Sequence, residues 1–219
     1  MKFLEPSEVE EFQEALLSWA EAGNLRDFPW REDANPFQVL VAEILLQQTL
    51  ASKVIPVYNT LMNKYQSPDR LAAAEVDTLS EELEPLGFHN QRARALIENS
   101  KSISERGLPE TIGELKDLSY VGDYAANATL CFGLGESRPI VDTNVERVYG
   151  RIFDEEIDAQ NSRSWEFAEE MLPDEEAAKF NLALLDFAAG TCTPSSPSCE
   201  RCPVRAQCTY YKTQRSKDA

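Results

Sequence analysis

Histidine and long apolar runs are what this 219-residue sequence has least of. It contains one histidine, His89. That scarcity excludes a metal centre built from several histidines, and it excludes Ser–His–Asp or Cys–His catalysis through any other histidine. The N-terminus lacks the apolar run of a signal peptide, and no apolar stretch reaches the length that crosses a bilayer. Chemistry must therefore use carboxylates, tyrosine, cysteine or a bound cofactor, and we expect a cytoplasmic protein with no membrane association.

Positive charge is also scarce, since 38 acidic residues oppose 21 basic ones and the net charge is −17. An acidic body repels the phosphates of DNA. The charge is unevenly spread, however: residues 154–176 hold ten acidic residues against Arg163, whereas five basic residues against two acidic ones follow from Glu200 onward. A locally basic surface therefore stays available to nucleic acid. The same acidity is typical of adaptation to a salty cytoplasm, and one sequence leaves that alternative open.

The apolar residues recur with the helical period, and no convincing run of alternating strands occurs, so the sequence predicts an all-α fold. Short breaks rich in proline, glycine and asparagine separate the helices. Ser7 resembles the cap of the first helix, with Glu10 at the reciprocal position. The length fits one compound domain or two small ones, and we expect two helical lobes with a cleft between them. The predicted helices are 7–23, 36–50, 52–65, 68–73, 75–85, 89–105, 111–117, 122–134, 142–154, 161–171 and 175–189.

Four of the five cysteines lie close together near the C-terminus, in the segment CTPSSPSCERCPVRAQC. Four thiolates this close in sequence can surround one metal centre without help from the rest of the fold. Disulfides are disfavoured in an intracellular chain, and cysteines of an apolar core do not occur in a Pro- and Ser-rich loop. The spacing predicts a metal centre and by itself leaves zinc and an iron–sulfur cluster both open. The predicted ligands are Cys192, Cys199, Cys202 and Cys208.

The segment LSYVGDYAANATLCFGLG, residues 118–135, has a glycine-containing turn followed by a helix of small residues. Such a turn presents backbone N–H groups to an anion, and the helix dipole adds to the attraction. Together with the short helix before it, this pattern is typical of a helix-hairpin-helix that holds a DNA phosphate without positive side chains. As a lone pattern, it more often only connects two helices.

Two carboxylates stand at positions where a structural role competes with chemistry. Glu43 is the only charged residue between Asp33 and Lys53, in the apolar stretch VLVAEILLQQTL. It is either part of the polar stripe of a helix, shared with Gln47, or a group placed for chemistry. Asp142, in IVDTNVERV, is either the N-cap of the next helix or a functional carboxylate. Taken alone, each position favours the structural role.

Six segments occur together and in order: AEILLQQT, GFHNQRARAL, LSYVGDYAANA, VDTNVERV, FNLALLDFAAGTC and the four-cysteine segment. Together they resemble the helix-hairpin-helix DNA glycosylases of the endonuclease III type, from about Leu25 to Tyr211. The resemblance implies a six-helix barrel domain with the hairpin at 27–137, and an iron–sulfur cluster domain built from 1–26 and 138–219. The active site would lie in the cleft between them. The cysteine spacing is that family's [4Fe-4S] signature, so the resemblance selects iron over zinc.

The resemblance also implies a partner and roles for single residues. The partner would be double-stranded DNA with a mismatch or lesion, bound by a monomer associated with the nucleoid. Asp142 would offset positive charge on the sugar as the N-glycosidic bond breaks, and Glu43 would hydrogen-bond or protonate the departing base. Tyr124 stands where bifunctional members carry the lysine that forms a Schiff base, so a monofunctional glycosylase is expected. Gln48 and Phe88 occupy the wedge positions that fill the gap left by the extruded nucleotide. The residues expected to contact DNA or substrate are Gln47, Gln48, Phe88, Asn90, Gln91, Val121, Gly122 and Leu182.

Two segments bear on which base is released. GFHNQRA and FNLALLDFAAGTC are closest to the archaeal mismatch-specific thymine glycosylases, which contact the mismatched guanine at the Leu182 position. AEILLQQT is equally similar to the adenine glycosylases of the MutY type. Those enzymes usually continue into a further C-terminal domain, whereas this chain stops eleven residues after Cys208. We therefore expect release of thymine or uracil opposite guanine, with release of adenine opposite guanine or 8-oxoguanine as the alternative.

The hairpin departs from the family's usual Leu-Pro-Gly-Val-Gly, since residues 118–122 read Leu-Ser-Tyr-Val-Gly. The missing first glycine removes a backbone conformation that is cheap only for glycine, so an altered phosphate grip is expected. Two other classes of protein remain open. A non-catalytic iron–sulfur DNA-binding protein would have no use for Glu43, Tyr124 and Asp142 together. An electron carrier would leave the hairpin unexplained.

Overall fold

The computed structural model describes residues 3–217, with side chains to residue 216, so the outermost two residues at each end of the predicted cluster domain lie outside the described residues. The described chain contains helices and no strand, which confirms the predicted all-α class. The α-helices are α1 (Pro6–Trp19), α2 (Pro36–Leu46), α3 (Ala51–Lys64), α4 (Pro68–Ala72), α5 (Val76–Leu83), α6 (His89–Arg106), α7 (Ile112–Lys116), α8 (Asp123–Ala128), α9 (Thr143–Phe153), α10 (Ser162–Glu170), α11 (Ala177–Gly190) and α12 (Thr209–Lys217). Short π turns at Ala20–Asn24 and Thr129–Gly133 extend α1 and α8, and 3-10 turns occur at Glu84–Leu86 and Cys199–Arg201.

The helix starts follow local sequence signals. α2 begins behind Asn35, whose side chain accepts the Gln38 backbone N–H at 3.0 Å. The Gln38 side chain accepts the Asn35 backbone N–H in return at 2.9 Å, and Pro36 stands at the first helical position. This reciprocal pair satisfies two backbone donors that a helix start otherwise leaves open.

The predicted Ser7 cap of the first helix is wrong. α1 begins at Pro6, because proline is preorganised for a first helical position where no N–H bond is needed. The Glu5 backbone N–H then donates to the carboxylate of Glu8 at 3.2 Å. The reciprocal contact is therefore made by Glu8 and not by Glu10.

The predicted helix 36–50 is too long, since α2 ends at Leu46. Gln47 has an extended ψ of 121°, and Gln48 takes a left-handed φ of 52° before α3 begins. The buried guanidinium of Arg92 donates to the Gln47 carbonyl, which supplies that oxygen with a partner outside the helix. A tertiary contact therefore ends α2.

The C-terminal helix α12 was not predicted. Its sequence, TYYKTQRSK, has no apolar stripe at helical spacing, so the period that identified the other helices is missing. α12 packs on α9, and Tyr210 lies against the guanidinium of Arg151 at 4.8 Å from its ring centroid. The stability of α12 therefore depends on its packing against α9 and not on an apolar stripe of its own.

The described helices form two compact units, each with its own apolar core. The first unit, residues 27–136, holds α2 to α8; α6 packs on α4 and α5, and α2 packs on α8 and the π turn after it. The second unit joins residues 3–26 to residues 137–217; α1 packs on α11, and α11 and α12 pack on α9. Among the described helices, none is long and apolar enough to cross a membrane.

Candidate active site and cysteine pocket

Glu43 lies on α2, inside the apolar part of the 27–136 unit. Only 5% of the residue is exposed, and the other seven buried residues of the helix are all apolar. Because α2 ends at Leu46, Gln47 does not continue a polar stripe with Glu43. The polar-stripe interpretation of Glu43 is therefore wrong. Burying a carboxyl group costs free energy that packing alone does not repay, which is typical of a group kept for chemistry.

Tyr124 is the second residue of α8 and is partly buried. The next four residues, Ala-Ala-Asn-Ala, are small and buried, which allows α8 to pack closely on α2. The π turn after α8 comes closer still: a Cβ atom on Gly133 would stand 2.8 Å from the Cα atom of Pro36, so only glycine fits there. The helices that carry Glu43 and Tyr124 are therefore held in contact.

The hairpin between α7 and α8 is braced by Asn99 of α6, which is buried. The Asn99 amide donates to the Ser119 carbonyl, and its oxygen accepts the Ser119 N–H, both at 2.8 Å. A proline here would have no N–H to donate, so serine gives this hairpin a second bond to α6. Tyr120 adopts a φ of 64°, so the left-handed turn is kept without glycine at a strain of about 1–3 kcal/mol. Val121 is buried, and Gly122 is exposed.

The predicted wedge residues, Gln48 and Phe88, stand in two separate loops and are exposed. Both have left-handed backbones, with φ values of 52° and 49°, and Phe88 is 56% exposed. Asn90 and Gln91, in the first turn of α6, are exposed as well, whereas Gln47 is partly buried. Polar and aromatic side chains of two loops and the start of α6 therefore lie on the surface of this unit.

Asp142 is the N-cap of α9 and is partly buried, as the structural interpretation predicted. Its Oδ1 accepts the backbone N–H groups of Asn144 and Val145 at 2.9 and 2.8 Å, and its Oδ2 accepts the Asn144 amide at 2.8 Å. Arg147 donates to the Asn144 Oδ1 at 3.1 Å and, through Nε, to the Cys192 carbonyl at 2.9 Å. A continuous set of hydrogen bonds therefore fixes the Asp142 carboxylate and joins it to the cysteine segment.

The four predicted metal ligands line one small pocket together with Arg151. Those ligands are Cys192, Cys199, Cys202 and Cys208. None of the chain's described cysteines forms a disulfide. Arg151 donates to the Cys192 sulfur at 3.6 Å and to the Thr193 carbonyl at 2.7 Å, which holds the loop against α9. Burial raises the pKa of the Cys202 thiol to about 11, and the three neighbouring sulfurs act in the same direction. A positive centre among the sulfurs would remove that obstacle to forming thiolates.

The donor set of this pocket fits an iron–sulfur cluster. Within the described residues, no three Cys, His, Asp or Glu side chains converge tightly enough to hold a single metal ion. Zinc, with Zn–S bonds of about 2.3 Å, would draw its sulfurs to within about 4 Å of each other. In a four-iron cluster each thiolate binds a different iron, so the sulfurs stand further apart. The four cysteines around this pocket are the donors that an iron–sulfur cluster requires.

Leu182, on α11, is partly buried in the unit that contains Asp142. The neighbouring Asn181 is buried, and its amide donates to the Arg138 carbonyl at 2.8 Å. This bond ties α11 to the segment that leads into Asp142. The start of α11 and the approach to α9 are therefore held together.

Sequence analysis missed several polar residues that organise these sites. Arg92 and Asn99 stand on the buried face of α6, and Arg147 and Arg151 stand one turn apart on α9. All four donate to backbone carbonyls that lie 20 to 45 residues away in the chain. The only available signal in the sequence was a polar side chain at a position where the helical period expects an apolar one. That signal predicts that the side chain is buried, but it does not identify its hydrogen-bond partner.

Residues 41–173 match the family described as HhH-GPD superfamily base excision DNA repair protein. The matched span is more than half of the chain and contains Glu43, the hairpin, Tyr124 and Asp142. This chain belongs to the HhH-GPD superfamily.

Relatives within the HhH-GPD superfamily are similar over nearly the whole length. The thymine-DNA glycosylase of Aeropyrum pernix is 35% identical over 220 residues, which are 96% of this chain and 99% of the relative. The thymine/uracil-DNA glycosylase of Pyrobaculum aerophilum is 36% identical over 211 residues, 92% of each chain. A solved structure of a thermostable thymine-DNA glycosylase has a TM-score of 0.89 at 30% identity, covering 94% of this chain and 98% of that one.

Adenine DNA glycosylases match as well, at 30% to 34% identity, but this chain spans only 37% to 64% of their length.

The comparisons confirm the predicted family, the all-helical endonuclease III type of fold and the class of enzyme, a DNA glycosylase. The family match also supports DNA as the partner of this protein, because its members are base excision DNA repair proteins. The roles of single residues and the cluster stay predictions.

Proposed function

We propose that this protein is a monofunctional DNA glycosylase that removes thymine or uracil mispaired with guanine. The observation that carries the proposal is the match to thymine-DNA glycosylases over 96% of this chain and 99% of the relative. The buried Glu43, the partly buried Tyr124 and the fixed Asp142 supply the chemistry such an enzyme needs. Adenine release is the weaker alternative, since those relatives match less of their own length.

The reaction begins with extrusion of the target nucleotide, because a base inside the duplex cannot be reached. A mispaired base costs less to extrude, which gives selectivity before any pocket contact. Gln48 and Phe88 would enter the emptied stack, with Asn90 and Gln91 beside them. Leu182 would contact the guanine, and the Val121–Gly122 turn would bind a DNA phosphate through backbone N–H groups. Main-chain binding of this kind does not require a positively charged protein.

Cleavage of the N-glycosidic bond moves its electron pair onto the base and leaves positive charge on the sugar. Asp142 would stabilise that charge and orient the water that adds to C1′. Glu43 would donate a hydrogen bond or a proton to the departing base, and Tyr124 would hold the extruded nucleotide through its hydroxyl. These roles need one fixed anion and one buried carboxyl group. Their environments differ in burial: Asp142 is partly buried and accepts three hydrogen bonds, whereas Glu43 is only 5% exposed.

A [4Fe-4S] cluster is part of the proposal, held by the four cysteines of the pocket. When bound, it would cross-link the segment after α11 to itself and supply the positive centre that keeps four thiolates together. Arg147 and Arg151 of α9 would hold the cluster segment through its carbonyls. We further propose that the protein acts as a monomer on mismatched chromosomal DNA.

The base released decides between the two candidate substrates. In single-turnover reactions with G·T, G·U and A·8-oxoguanine duplexes, at low and at molar salt, thymine and uracil should be released at least tenfold faster than adenine. A polar site rejects a base with mismatched hydrogen bonds by a factor of this order or more. The Asp142→Asn protein serves as the blank. Faster adenine release at every salt concentration would overturn the base assignment and leave the enzyme class standing.

Base release should leave the DNA strand intact. Tyr124 offers a phenol and no amine, so no Schiff base can form there with the sugar. The product should be an abasic strand that breaks only after alkali or heat, and borohydride should trap no protein–DNA complex. A bifunctional endonuclease III is the positive control for trapping. A covalent complex formed by this protein would contradict the monofunctional assignment and identify another lysine as nucleophile.

A further inference from the structure

Arg92 joins the two loops that carry Gln48 and Phe88. The residue is 1% exposed and stands in the first turn of α6. Its Nη1 donates to the Leu86 carbonyl at 3.0 Å and to the Gly87 carbonyl at 3.2 Å. Its Nη2 donates to the Gln47 carbonyl and to the Thr49 hydroxyl at 3.0 Å. One planar guanidinium therefore spans both loops.

The bonds of Arg92 fall where the two loops are strained. Gln48 and Phe88 both have left-handed backbones, which cost a non-glycine residue roughly 1 kcal/mol or more each. Arg92 binds the carbonyl that immediately precedes each of them, at Gln47 and at Gly87. Arg92 therefore fixes the orientation of the peptide group that precedes each strained residue. A strained conformation persists only when its surroundings determine it in this way.

The buried cation of Arg92 is costly, and among the described residues no carboxylate pairs with it. All four of its acceptors are neutral oxygens, and its Nε has no hydrogen-bond partner in the part of the chain that the structure describes. Burial lowers the pKa of the guanidinium, and Tyr120 opposes that shift only in part. An apolar side chain of similar size could fill this space at lower cost. Packing alone therefore does not explain an arginine at this position.

The same connection reaches the hairpin. Gln47, whose carbonyl binds Arg92, donates its side-chain amide to the Tyr120 carbonyl at 2.6 Å. Tyr120 is a third non-glycine residue with a left-handed backbone, and it is 38% exposed. Three exposed, strained loop residues of one unit are thus linked through two side chains.

We propose that Arg92 is a positioning residue for nucleotide extrusion: it holds Gln48 and Phe88 ready to enter the DNA stack and, through Gln47, couples them to the hairpin. The inference rests on the proposed function, which places Gln48 and Phe88 in that stack. It concerns the step before bond cleavage. Loss of Arg92 should therefore slow extrusion and leave the chemistry of an already extruded base almost unchanged.

The test compares two substrates that differ in the cost of extrusion. Arg92→Met removes all four donated bonds at similar side-chain length, and Thr49→Val removes a single acceptor. Single-turnover uracil release is measured from a G·U duplex and from a duplex with uracil opposite an abasic analogue, where extrusion is cheap. We expect Arg92→Met to release uracil roughly tenfold or more slowly from the G·U duplex. From the duplex with unpaired uracil, its rate should fall by less than about threefold. Thr49→Val should lower the rate of uracil release roughly fivefold on the G·U duplex only, because it removes a single hydrogen bond.

Three controls separate positioning from folding. Arg106→Met removes an exposed arginine from the last turn of the same helix and should change neither rate. The unfolding midpoint of each variant is measured, and Thr49→Val serves if Arg92→Met fails to fold. A 2-aminopurine beside the mismatch reports extrusion directly, and its fluorescence rise should be lost in Arg92→Met. Equal losses on both substrates, or no loss on G·U, would overturn the inference.

The fluorescence signal also distinguishes failure of the inference from failure of the proposed function. If the wild-type protein releases neither uracil nor thymine, the proposed function fails. A fluorescence rise with the wild type that is absent with Arg92→Met would still support Arg92 as a positioning residue. A rise of equal size with both proteins would overturn the inference whichever base is released.

Discussion

Asp142→Asn should reduce base release on the order of 10³-fold while the protein stays folded and still binds mismatched DNA. The substitution removes the negative charge that offsets the cationic sugar and keeps the size of the side chain. It also keeps an amide oxygen that can accept the N–H groups of Asn144 and Val145, now at 2.9 and 2.8 Å. The measurement is single-turnover release from a G·U duplex together with duplex affinity.

The stability cost of Asp142→Asn should be small, about 1 kcal/mol. The Asn144 amide now donates to Oδ2 at 2.8 Å, and an NH₂ group in that place cannot accept it. Asn144 cannot simply turn around, because Arg147 holds its oxygen at 3.1 Å. One hydrogen bond is therefore lost, which is worth about 1 kcal/mol.

Asn161→Ala is the matched control for the cap. Asn161 caps α10 in the same unit and accepts the Arg163 N–H at 3.0 Å, so its loss should cost about 1 kcal/mol as well. It should leave base release unchanged. If Asp142→Asn lowers the unfolding midpoint as Asn161→Ala does and keeps its activity, Asp142 is only a cap and the proposed role is wrong.

The fold was predictable where a helix carries its own signal. α2 to α6 and α9 to α11 have apolar residues at helical spacing or a Pro, Asn or Gly boundary, and all of them were predicted within a few residues. α12 has no such stripe, and the end of α2 depends on Arg92, forty-five residues away from Gln47 in the chain. Long-range contacts of this kind leave no local pattern to read.

The residues of the candidate site also differ in whether the sequence alone identifies them. Glu43 was identified because a charge in an apolar run is unusual, and its burial removes the alternative of an exposed polar stripe. Asp142 shows the limit of such an argument, since it is an N-cap whether or not it is catalytic. Arg92 and Asn99 were missed because a buried polar residue on an amphipathic helix resembles an exposed one until its partner is known. The sequence identified candidate groups for chemistry, and the structure was needed to find the groups that hold them.

Loss of one pocket cysteine should remove the proposed iron–sulfur cluster. Cys199→Ser replaces a thiolate by a weakly acidic hydroxyl, so the pocket keeps three sulfurs and cannot complete a cluster with four thiolates. The wild-type protein, purified without oxygen, should be brown and contain about four iron atoms per chain. The variant should contain less than about one. Iron content and visible absorption are the measurements.

Metal loss should also destabilise the unit of residues 3–26 and 137–217. The pocket segment has little helix of its own, and α9 holds it mainly through Arg147 and Arg151 at its carbonyls. Binding of a metal centre by flexible ligands is folding free energy, so its loss should cost more than about 3 kcal/mol, beyond an ordinary point substitution. Denaturant unfolding of the wild type and Cys199→Ser, monitored at the same protein concentration, gives the difference.

Cys131→Ala is the matched control, because Cys131 is buried in the other unit and does not line the pocket. It removes a sulfur from the chain and should leave iron content and visible absorption unchanged, with only the modest stability loss of a small cavity. Stoichiometric zinc without iron in the wild type would contradict the iron–sulfur cluster, but the four cysteines would still be assigned as metal ligands. Full iron content in Cys199→Ser would contradict Cys199 as a required ligand, because three thiolates would then suffice to hold the metal.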